Sequence, residues 1–148
     1  MDKLDSTVAY RIAQAAIDFE SRRTGHVPGS VTVVLSGKTL LITLHGALTP
    51  AEKALAQRSA EGAAEVREFH RQLFRDSADT LREEIKRIAG VEVREASAEV
   101  EPTMGTVVQV FTTGTTVQVY LLAHEVPASS WSGNGSGELF TKTEFQPC

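Results

Sequence analysis

Cysteine is almost missing from this chain of 148 residues: Cys148, the final residue, is the only one. A single thiol makes no intrachain disulfide and builds no cysteine-ligated metal cluster. A reducing compartment fits that count. Metal-ligand spacing is missing as well. The four histidines, His26, His45, His70 and His124, do not pair at ligand intervals. His124-Glu125 lacks the second histidine that would complete a zinc-binding helix motif. No metal and no cofactor are expected. The chain also has no phosphate-binding P-loop, no nucleophile elbow and no dinucleotide fingerprint ahead of a helix. Ser132–Gly137 is glycine-rich but has no strand and helix around it. With these absent, the residues offer no catalytic constellation, and a non-enzymatic role is favoured over catalysis.

Long apolar runs are missing too. The longest, Val31–Leu35 and Leu40–Leu44, fall far short of the roughly 20 residues that span a bilayer. Met1–Tyr10 carries no apolar core of signal-peptide length. A cytoplasmic protein without a transmembrane segment is therefore expected. An excess of basic charge is the last absence. Fifteen Lys and Arg against 19 Asp and Glu give a net charge of −4, which argues against a dedicated nucleic-acid binder.

What is present patterns as one α+β domain over residues 1–125, followed by a Ser/Gly-rich tail over 126–148 that reads as flexible. The alternative for the tail is that Trp131, Phe140 and Phe145 dock. Asp5 or Ser6 is placed to cap a first helix. Val8, Ile12, Ala15, Ala16 and Phe19 form its apolar stripe, and Gly25 stops it. Val31, Val33 and Leu35 alternate along one strand; Leu40, Ile42 and Leu44 alternate along the next. Ser36-Gly37-Lys38 between them suits a hairpin turn.

At Leu44–Gln57 the second strand runs into a strongly marked helix start. Thr49 suits the N-cap, Pro50 the first helical position, and Glu52 completes a capping box. The apolar positions Leu55, Val66, Phe69, Leu73, Leu81, Ile85 and Ile88 then continue to Gly90 without a proline. A continuous helix from Pro50 to Ala89 would be about 60 Å long, whereas a compact domain of this size is about 40 Å across. Either the helix breaks, at Ser59–Gly62 or at Asp76-Ser77, or it packs on a second chain. A homodimer is the expectation. Val91–Val100 reads as a strand, and Thr106–Ala123 as a further hairpin turning at Thr113-Gly114. The expected fold is thus an N-terminal helix, a β-hairpin, a long helix and three strands, in a mostly antiparallel sheet with helices over one face.

The polar residues that stand out are arginines. Arg67, Arg71 and Arg75 recur at four-residue spacing as a basic ridge, with His70 beside them. Arg22-Arg23 and His26 flank the first helix stop. Glu65, Glu68 and Asp76 lie near enough to make the ridge an ordinary solvated face with local ion pairs. The functional alternative is contact with an anion or an acidic partner, since guanidinium groups present planar paired donors.

Gly25-His26-Val27-Pro28, the hairpin, Leu44–Leu55 with Leu48-Thr49-Pro50-Ala51-Glu52 at its centre, Val66–Phe74, and Ile88–Val93 together resemble the MpsC-like family. This is a bacterial family, formerly a domain of unknown function. It takes its name from a subunit of a Na+-translocating, membrane-potential-generating system. The resemblance runs from Val8 to Phe111. Arg71 falls where the family usually carries an arginine. The family's Gly-Arg-Gly-Pro is replaced here by Gly25-His26-Val27-Pro28, and its acidic residue near the third strand falls at Ala98 or Glu99. The resemblance implies a soluble accessory or regulatory protein linked to a membrane cation or inorganic-carbon transport system. The alternative is a module that binds a small anion such as bicarbonate or phosphate through the arginines. No catalytic residue is carried over.

Overall fold

The structure, a computed structural model, describes residues 7–36, 39–102, 105–112 and 138–141. Helix α1 spans Val8–Thr24. Its N-cap is Thr7, whose hydroxyl accepts from the Tyr10 N–H at 3.0 Å; the expected caps, Asp5 and Ser6, lie outside the described residues. Gly25, at φ 76°, ends the helix in the left-handed conformation expected of it. The buried residues are Tyr10, Ile12, Ala13, Ala16, Ile17 and Glu20. They share Ile12 and Ala16 with the expected stripe, whereas Val8 is exposed.

Strands β1 (Ser30–Ser36) and β2 (Thr39–His45) form the expected antiparallel pair, with Val31 opposite Leu44 and Val33 opposite Ile42. These four side chains share one face and are buried. The long helix breaks at the first of its two weak points. Helix α2 covers Pro50–Arg58 and α3 covers Ala60–Ala89. Ser59 between them is fully extended (φ −162°, ψ 162°) and caps α3 by accepting from the Gly62 N–H at 3.0 Å. Gly62 then lets α2 fold against α3: a Cβ on it would lie 2.1 Å from the Leu55 carbonyl oxygen. Asp76-Ser77 does not interrupt α3. The Ser77 hydroxyl donates back to the Leu73 carbonyl at 2.5 Å, within the helix. The break shortens the longest rod to about 45 Å.

After α3, strand β3 covers Glu95–Glu101, β4 covers Thr106–Thr112 and β5 covers Glu138–Thr141. Strand β3 starts later than the sequence suggests, because Arg82 takes the carbonyls of Val93 and Arg94, each at 2.8 Å. The sheet order is β3-β4-β2-β1-β5, with every neighbouring pair antiparallel. Helices α1 and α3 cover one face, over Val31, Val33, Leu40, Ile42, Leu44, Ala98, Val100, Val107 and Phe111. The second arm of the expected Thr106–Ala123 hairpin lies outside the described residues. Of the segment 126–148, only β5 is described, and it pairs with β1 at the sheet edge.

Candidate functional site

The strand-to-helix junction does more than start a helix. The Thr49 hydroxyl accepts from the Glu52 N–H at 3.2 Å, and Glu52 Oε1 accepts from the Thr49 N–H at 3.0 Å. That is the reciprocal capping box written in the sequence. The second carboxylate oxygen of Glu52 turns inward. Oε2 lies 2.6 Å from Nε2 of His70 on α3. His70 occupies the core stripe of α3, one turn from Val66 and one from Phe74, and is 1% exposed. On its other side, Nδ1 faces Glu20 of α1, with 3.9 Å to Oε2. Glu20 is fully buried and forms an ion pair with Arg23. The Arg23 guanidinium sits over the rings of Phe19 (4.6 Å) and Phe74 (5.8 Å), a cation–π arrangement that suits a desolvated cation.

Four ionisable side chains therefore tie α1, α2 and α3 together beneath an apolar surround. Burial pushes the Glu52 carboxyl upward, but the Thr49 N–H and His70 outweigh it and hold the group below its ordinary value. Glu20 Oε2, His70 Nδ1 and Arg23 Nε and Nη1 are buried without a hydrogen-bond partner among the described residues. A cluster of this kind is costly to desolvate and is retained only where geometry compensates it. Its chemistry is that of an ionic clasp. Among the described residues no group of three or more His, Cys, Asp or Glu is arranged to hold a metal ion.

The other singled-out residues are dispersed. A helix turns about 100° per residue, so His70 points into the core while its neighbour Arg71 points out. Arg71 donates to Glu99 Oε2 at 3.0 Å and lies 4.0 Å from Glu68. Glu99 is thus the acidic partner on the third strand, and Ala98 is a core residue. Arg67 is half-buried and Arg75 exposed. Arg22 lines a groove of about 410 Å³ between α1 and α3, together with Phe19, Arg23, Leu81 and Glu84. His26 reaches the turn after β2, where its Nε2 lies 3.0 Å from the Gly46 carbonyl oxygen. That contact closes the Gly25–Pro28 loop against the turn that leads toward Thr49.

Glu20 was not singled out from the sequence, although it carries a signal. It continues the spacing of Ile12, Ala13, Ala16 and Ile17, so a carboxylate stands in an apolar stripe. Phe74 was likewise passed over in favour of Phe69, which is 53% exposed, whereas Phe74 is buried against Phe111.

No curated protein and no solved structure matches the chain. A family model does, over residues 5–115, and its description is the Na+-translocating membrane potential-generating system (MpsC). Those residues contain α1, the hairpin, both later helices, β3, β4 and the whole charged cluster, and on that match the chain belongs to the MpsC family.

Proposed function

We propose that this protein is a non-enzymatic, cytoplasmic accessory or regulatory subunit that binds a membrane component of a cation or inorganic-carbon transport system. The observation that carries this reading is the family match over residues 5–115 in a chain where no described helix is long and apolar enough to cross a membrane. A membrane-potential system needs a path through the bilayer, and backbone crossing it must be satisfied within spanning helices or a closed barrel. A partner that supplies the path accounts for both facts. The partner contact is assigned to Arg67 and Arg75, which project from α3 without an ion pair among the described residues. The small-anion reading has less to work with. Two of its arginines are already engaged, Arg23 by Glu20 and Arg71 by Glu99.

The test is affinity capture of the tagged chain from gently solubilised membranes of its own cells, with crosslinking and mass spectrometry. The expected catch is an integral membrane transport subunit, lost in the Arg67→Glu/Arg75→Glu variant. Recovery of the chain by itself overturns the reading. Calorimetric titration with millimolar bicarbonate and phosphate is expected to give no heat; saturable heat abolished by Arg67→Ala would favour the anion module instead.

A further inference from the structure

Helix α2 is the least anchored of the three helices. Ala56 is its one buried residue, against six in α1 and eight in α3. Its principal neighbour is α3. Leu48, just before it, is buried, and Ala47 is fixed by donating to the Gly105 carbonyl at 2.8 Å. The extended Ser59 follows it. The segment Thr49–Ser59 therefore has a fixed point at each end and little apolar grip between them. The one charged group that α2 sends inward is Glu52, and its Oε2 meets His70 at 2.6 Å. Below that bond lie Glu20 and Arg23, buried and incompletely partnered. A structure that wanted only stability would set its most apolar helix over such charges, because removing them from water is expensive. Here the helix with the fewest buried residues closes over His70.

We propose that α2 is a hinged flap, latched to α3 by the Glu52–His70 hydrogen bond, and that release of the latch opens the His70–Glu20 pair to solvent while α1, α3 and the sheet stay folded. The hinges are the Leu48–Thr49 link and Ser59. The latch is polar, so it can be broken without exposing a large apolar area, and local opening at low cost is how mobile elements arise in an otherwise stable fold. The two oxygens of Glu52 have separate tasks. Oε1 caps α2, which keeps the flap helical, and Oε2 holds it shut. This device does not depend on the membrane partner proposed above.

Two substitutions separate latch from scaffold in the full-length chain. Glu52→Gln keeps an oxygen for the cap, as glutamine does in capping boxes, but removes the charge facing His70. Gly62→Ala drives a Cβ against the Leu55 carbonyl at 2.1 Å and pushes α2 off α3 from its other end. Hydrogen exchange followed by mass spectrometry is the readout. In both variants the amides of residues 52–58 are expected to exchange about tenfold faster or more, the ratio that follows from losing one charge-assisted hydrogen bond. Amides of Phe74–Ile88 and of β2 are expected to keep wild-type rates. Acceleration of all these amides together, or no acceleration of 52–58 in Glu52→Gln, overturns the flap: α2 would then be an integral part of the cooperative core.

Discussion

At His70 an imidazole that is 1% exposed has a carboxylate toward each ring nitrogen, at 2.6 Å and 3.9 Å. Removing the ring leaves Glu20 and Glu52 facing a gap. His70→Ala is expected to lose about 3 kcal/mol of unfolding free energy, as for other broken buried pairs, measured by urea denaturation at neutral pH. Arg71→Ala breaks the Glu99 pair, whose side chains are 40% and 53% exposed, and is expected to cost under about 1 kcal/mol. If the two losses are equal, the cluster has no special weight. Glu52 supplies a second residue-scale prediction. Its carboxyl is held below the model-compound value of 4.5 in the folded protein. Its contribution is therefore fully present above that value and is lost as pH falls through the lowered folded value. The wild-type stability advantage over Glu52→Gln is expected to shrink as pH falls below the ordinary carboxylate range and through the lowered folded value of Glu52. An advantage that persists unchanged at pH 3 would remove the carboxylate as its source. None of this was visible at His70 in the sequence, where it reads as a companion of Arg67, Arg71 and Arg75. Adjacent residues on a helix face directions about 100° apart. The frame that placed Val66 and Phe74 inward carried His70 with them.

At the scale of elements, the strand alternation and the helix punctuation were plain in the chain. The pairs Val31–Leu44 and Val33–Ile42 meet as the period-two pattern requires. Thr49, Pro50 and Glu52 start α2, and Gly25 and Gly90 stop α1 and α3. The break in the long helix was narrowed to two places, and the structure chose Ser59. The reason is packing. Gly62, without a side chain, admits the Leu55 backbone, and Ser59 supplies a new cap for α3. Near Asp76-Ser77 no such return exists, and the serine hydroxyl is absorbed by Leu73. Ser59→Ala is expected to cost about 1 kcal/mol through the lost cap, read from the urea midpoint. A neutral result would mean that the Leu55–Gly62 approach alone sets the break.

For the whole molecule, the break removes part of the length from which a second chain was inferred, yet α3 keeps Phe69 exposed at 53%. We keep the homodimer as a proposal. Light scattering at micromolar concentration is expected to give about twice the 16.0 kDa of one chain, and to revert toward one chain in Phe69→Glu. A wild-type monomer overturns it. The sequence by itself determined the types and order of the helices and of β1 to β4, and most of their ends, because alternation, helical periodicity and caps are local properties of the chain; β5 lies in the segment that the sequence marks only as Ser/Gly-rich. It also carried the family, matched over residues 5–115. Tertiary structure alone decided that Glu20, Arg23, Glu52 and His70 form one cluster. They come from three helices, and the chain between those helices turns at Gly25, Gly46 and Ser59 before their faces meet. Such long-range coincidence has no period to read, since burial and charge pairing arise only once the helices are packed.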